Sequence, residues 1–107
     1  MAIFFLGDAA GERPILNPIM IPPNLAIGDI AELSCTIKRG TFPRSFKWQH
    51  NGVEIQSHHK YKISNSKTSS QFLIGEIQAT DIGNYTCKAV NDYGQDIKFE
   101  SVIIEGR

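Results

Sequence analysis

The side chains whose type and spacing could do chemistry are His50, the adjacent His58-His59, Asp81, Cys35, Cys87, and Asn84 within Asn84-Tyr85-Thr86. Adjacent histidines on a strand point to opposite faces, and in a loop they need only be solvated. With His50 distant in sequence, they give no metal-ligand spacing. Two cysteines fall short of a four-ligand zinc site, and no Cys-x-x-Cys is present. Lying 52 positions apart, they are either two free thiols or one bridge. A bridge over that span would restrain the unfolded chain by about 4 kcal/mol in the chain-entropy model. Asp81 has neither a Gly-rich phosphate loop nor a nucleophile elbow beside it, so it reads as a corner residue that pairs with a base or caps a turn. No catalytic residue, metal, cofactor or small-molecule substrate is expected. One modification signal stands: Asn84-Tyr85-Thr86 satisfies the N-glycosylation acceptor pattern.

The chain that must position these groups has 107 residues, which suits a single domain. Eleven basic and eleven acidic side chains cancel, giving no bulk attraction to nucleic acid or to anionic lipid. A 41% hydrophobic content at zero net charge is opposite to the signature of disorder. Nothing approaches the apolar run of a membrane helix, so any membrane link would run through a parent protein. Residues 1–12 read as a leader or disordered tail: Met1 to Leu6 lack a basic n-region and stop at Gly7-Asp8 after too few apolar residues. Residues 13–107 read as one domain.

From Pro14 onward the pattern is that of strands. Pro14, Pro18, Pro22 and Pro23 confine the opening to edge or turn geometry. Ala31, Leu33, Cys35 and Ile37 alternate with Glu32, Ser34, Thr36 and Lys38, the period-two pattern of an antiparallel sheet with one wet face. Phe46 and Trp48 repeat it and end at the Asn51-Gly52 turn; short strands follow near 53–56 and 60–64. Residues 71–77 put Phe72 and Ile74 on one face, and Tyr85, Cys87 and Ala89 alternate before the turn at 91–94. Seven to nine short strands without a helical period predict an all-β, two-sheet antiparallel sandwich.

Cys35, then Trp48, then Asp81-Ile82-Gly83-Asn84-Tyr85-Thr86-Cys87, together with Gly28-Asp29-x-Ala31-x-Leu33, Tyr61-x-Ile63 and Ala89-x-Asn91-x-x-Gly94, resemble the I-set of the immunoglobulin superfamily. In an immunoglobulin sandwich the two cysteines bridge the sheets, the tryptophan packs on the bridge, and the tyrosine closes a corner. The resemblance therefore implies a Cys35–Cys87 inter-sheet disulfide and structural roles for Trp48, Tyr85, Asp81 and Gly83. Gly40, Pro43, Phe46 and Lys47 beside that pattern resemble the variable immunoglobulin domains of the arthropod Dscam family, notably the first such domain of its short chelicerate members. That likeness implies homophilic adhesion outside the cell, on a plasma-membrane protein, by an antiparallel two-fold pair through the A-B-E-D sheet.

On that sheet, alternation turns Glu32, Ser34, Thr36 and Lys38 outward, with Lys60, Lys62, Ser64, Gln71, Leu73 and Gly75. Leu73 is apolar among small groups, and the opening segment carries Ile15 and Asn17 to the same edge. Homophilic binding is assigned to Ile15, Asn17, Ser34, Thr36, Lys62, Ser64 and Leu73. The opening from Pro14 to Ile21 carries more apolar side chains than one edge strand can bury, set against the plainer reading that Ile19 to Ile21 cover the core. A glycan on Asn84 would obstruct the opposite sheet and leave this one free. Charge is divided as well: Lys38 to Lys67 hold seven basic residues and one acidic, a net +6, and the remainder is −6. Such a division suits pairing with a copy. Competing readings are a heparin strip of Lys38, Arg39, Arg44, Lys47 and Lys60, a spacer domain in an intracellular muscle protein, and a heterophilic receptor domain.

Overall fold

Alternation of apolar and polar residues decides which segments become strands and which side chains each strand buries. The computed structural model describes residues 11–104, and its eight strands are β1 (Ile15–Leu16), β2 (Ala31–Arg39), β3 (Ser45–His50), β4 (Val53–Glu54), β5 (Tyr61–Asn65), β6 (Ser69–Ile74), β7 (Gly83–Asn91) and β8 (Gly94–Val102). They form two four-stranded antiparallel sheets, ordered β1-β2-β6-β5 and β4-β3-β7-β8. The expected all-β sandwich is the observed architecture. One short 3-10 turn, Ala79–Asp81, leads into β7.

Between the sheets lie Leu33, Cys35, Trp48, Phe72, Ile74, Ile77, Tyr85, Cys87 and Val102, all without exposed surface. Cys35 and Cys87 are bonded, joining β2 of one sheet to β7 of the other. Trp48 stands opposite Cys87 on the neighbouring strand, and its indole Nε1–H donates to Ser70 Oγ at 2.8 Å. Ser70 in turn donates to Asn65 Oδ1, so the buried hydroxyl is satisfied on both sides.

Several boundaries differ from the sequence expectation. β6 ends at Ile74, not Ile77: beyond it the Gly75 N–H donates to the Lys60 carbonyl, and Ile77 bonds Gly28 and Asp29 in the turn that leads into the neighbouring β2. The strand expected over 53–56 stops at Glu54, where Ile55 turns into the core. Most of the expected leader, residues 1–10, lies outside the described residues. Glu12 exchanges backbone and side-chain bonds with Thr41, and its carbonyl accepts from the Asn91 amide.

Candidate functional site

The outer face of the β1-β2-β6-β5 sheet is built by register. Glu32, Leu73 and Lys62 form one row across β2, β6 and β5; Ser34, Gln71 and Ser64 form the next. Thr36 follows, its hydroxyl accepting from the Asn17 side-chain amide at 2.8 Å. The structure thus brings Asn17, Ser34, Thr36, Lys62, Ser64 and Leu73 onto one surface, with Ile15 half-buried at its edge beside an irregularity in β1. Glu32, Lys62, Ser64, Gln71 and Leu73 line one shallow hollow. A second, lined by Met20, Ile21, Pro22, Pro23 and Ser34, shares Glu32 with it.

Met20 belongs to this face, although the sequence reading did not single it out and left open whether Ile19 to Ile21 cover the core or add to the surface. Ile19 is buried and Ile21 packs against the core, but Met20 bridges to Ser34 and is 67% exposed. The signal was present: three apolar residues in an extended segment must alternate, so the middle one faces out.

Lys60 is also corrected. Expected outward, it is largely buried and its ammonium lies 2.8 Å from the Asp81 carboxylate, which has no exposed surface. The same carboxylate accepts from the Tyr61 hydroxyl at 2.5 Å and from the Gln78 backbone N–H at 2.8 Å. Burial alone would raise the Asp81 pKa. The hydrogen bonds from Lys60, Tyr61 and Gln78, with the Lys60 charge, outweigh it and hold the carboxyl below its ordinary value. Burial and the neighbouring carboxylate push Tyr61 up to about 12. Tyr85, raised by its own burial, donates to the Asp81 carbonyl at 2.6 Å and stacks on His50. Gly83 follows with a φ of +144°, where a Cβ would strike the Asn51 side chain. This corner is fully satisfied, and its chemistry is that of a structural brace.

The heparin strip does not assemble as a free basic surface. Arg44 pairs with Asp92 at 3.0 Å, Lys47 with Glu54 at 3.5 Å and Lys60 with Asp81. On the β4-β3-β7-β8 sheet, Asn84 is exposed and stands opposite Ser101. Nothing among the described residues groups three or more metal-binding side chains.

Residues 17–104 match the immunoglobulin I-set domain model. Junctional adhesion molecule A of Felis catus is 31% identical over 115 residues, spanning 92% of this chain and 39% of that protein. The chain therefore spans well under half of the relative's length. Among solved structures, isoform 9 of the Dscam1 Ig7 domain aligns with a TM-score of 0.76 at 25% identity, over 83% of this chain and 96% of its own. A chimeric titin Z1Z2 chain aligns with a TM-score of 0.79 at 23% identity, over 92% of this chain and all of its own, which is a likeness of fold. A family match that runs from Asn17 to Ile104, over nearly the whole described sandwich, makes this chain a member of the immunoglobulin I-set family.

Proposed function

We propose that this chain is an extracellular recognition domain of a cell-surface adhesion protein, binding a second copy of itself through the outer face of β1-β2-β6-β5. The observation that carries the reading is that face's composition. Leu73 sits between Glu32 and Lys62, the small Ser34 and Ser64 flank Gln71 in the next row, and exposed Met20 borders the second hollow. Small groups at the centre let a second sheet approach closely, while charges of both signs at the rim make the surface self-complementary.

The spacing of charge along β2 suits an antiparallel pair. A two-fold axis running across the strands between Ser34 and Thr36 would reverse β2 on itself, setting Glu32 of one copy against Lys38 of the other. Both residues are exposed and neither is in an ion pair among the described residues. The relative named for junctional adhesion and the Dscam1 neighbour agree with an adhesive role.

Sedimentation at rising concentration, paired with aggregation of cells displaying the domain, tests the proposal. Self-association is expected in both, and Leu73→Asp should abolish it with the thermal midpoint unchanged within about 0.5 kcal/mol of stability. A monomer at every concentration, or association indifferent to Leu73→Asp, overturns it. The likeness to titin favours a second reading, a spacer in an intracellular chain. Thiol titration of natively purified protein separates them: two titratable thiols would belong to the spacer, none to the extracellular domain.

A further inference from the structure

The outward side of β8 is unusually apolar for an edge strand next to water. Ile97 is 42% exposed and Phe99 66%, and Ile103 just beyond the strand is 68% exposed. Alternation puts all three on the same side as Ser101, which stands opposite Asn84 on β7. Thr86, the third residue of the acceptor tripeptide, stands opposite Phe99. Asn84 is thus flanked diagonally by Phe99 and Ile103, at the about 7–8 Å typical of diagonal neighbours. Its backbone N–H and carbonyl are occupied by Asn51, which fixes the strand while the side chain stays exposed.

We propose that Asn84 carries an N-linked glycan whose first sugar lies on Phe99, and that this glycan covers the apolar stripe of β8. The inference rests on the extracellular reading above, because the modification requires the secretory route. In the transfer, the Asn84 side-chain nitrogen attacks the anomeric carbon of a polyprenyl-pyrophosphate oligosaccharide. A carbon–nitrogen bond forms, the anomeric carbon–oxygen bond to pyrophosphate breaks, and the lipid pyrophosphate leaves while the amide gives up one proton. A pyranose ring has a face of C–H groups, and an aromatic ring has an electron-rich face to receive it. Phe99 presents such a face within reach of the acceptor, and Ile97 and Ile103 extend the apolar bed on either side. The glycan would shield one sheet and leave the other as the open recognition surface.

The test is intact-mass analysis of the chain secreted from a eukaryotic cell line, before and after peptide N-glycosidase. One glycan is expected, retained in Thr86→Ser and lost in Thr86→Ala. Deglycosylation should lower the thermal midpoint of the parent by about 2–4 °C. It should leave a Phe99→Ser variant, glycosylated to the same extent, without that drop. An unglycosylated secreted chain overturns the site. A glycosylated chain whose Phe99→Ser variant shows the same drop overturns the platform. Either result is separable from the recognition proposal, since Leu73-dependent association is measured on the other sheet in the same samples.

Discussion

Asp81 has no exposed surface, yet Lys60, Tyr61 and the Gln78 backbone all donate to it. A carboxyl held below its ordinary pKa adds stability that is fully present above the unfolded value near 4 and is lost as pH falls through the folded one. Tyr61 and Tyr85 act at the other limit. Their raised values leave full stability below the ordinary phenol pKa near 10, lost as pH climbs toward the folded values, about 12 for Tyr61. Thermal melts across pH should therefore show a plateau bounded by an acid limb below about pH 4 and an alkaline limb above about pH 10. Asp81→Asn should cost about 2 kcal/mol at neutral pH, because it leaves the Lys60 ammonium unpaired, and should flatten the acid limb. Tyr61→Phe should reduce the alkaline limb without removing it, since Tyr85 remains. An acid limb of full depth in Asp81→Asn would assign the loss to other carboxylates.

The opening strand β1 is two residues long, and what holds it is chiefly its ties to other elements. The buried Asn91 amide donates to the carbonyls of Glu12 and Thr41, and its oxygen accepts from the Tyr93 N–H. The Leu16 N–H donates to Asp96, and Gly40, at φ +111°, leaves no room for a Cβ against the Arg13 carbonyl. Asn91→Ala should cost about 2 kcal/mol by leaving the buried tie unmade and the Thr41 carbonyl without its donor, while the Glu12 carbonyl keeps the Thr41 N–H. Hydrogen exchange at residues 13–17 should quicken more than in β2, β6 or β7; uniform acceleration would mean that the tie is global. Alternation made β2, β3 and β7 legible in the sequence, since period two is a local property, and the cysteine, tryptophan and tyrosine spacing carried the pairing of the sheets. The Asn91 tie was not legible, because it joins residues 79 apart whose types are ordinary for turns. Lys60 was misread for a related reason: a lysine on a strand reads as solvated until an acid from another corner reaches it. Of the proposed face, the outward rows on β2, β5 and β6 were readable, but Met20 was obscured by its apolar neighbours.

A neutral total of +6 and −6 acquires a direction once the strands are in place. With Arg44 paired to Asp92 and Asp81 to Lys60, the end of the sandwich holding Lys38, Arg39 and Lys67 is rich in base, and the opposite end holds Asp29, Glu76 and Glu100. An antiparallel copy sets base-rich end against acid-rich end, whereas a parallel copy sets like against like. On the proposed face this reduces to Glu32 opposing Lys38 of the partner, twice per pair because the interface is isologous. Glu32→Lys alone then creates two Lys–Lys contacts, and Lys38→Glu alone two Glu–Glu contacts, so each variant should lose self-association by at least tenfold in Kd. Mixed together, the two variants restore opposite charges at both positions. A one-to-one mixture should therefore associate as a heteropair near the parent's affinity, with the restoration strongest at low salt, where screening is least. Fluorescence-detected sedimentation of one labelled variant titrated with the other reads this directly. If the mixture stays as weak as its components, the two-fold axis does not lie between Ser34 and Thr36. Association that survives in both single variants would instead mean that the copies meet through another surface.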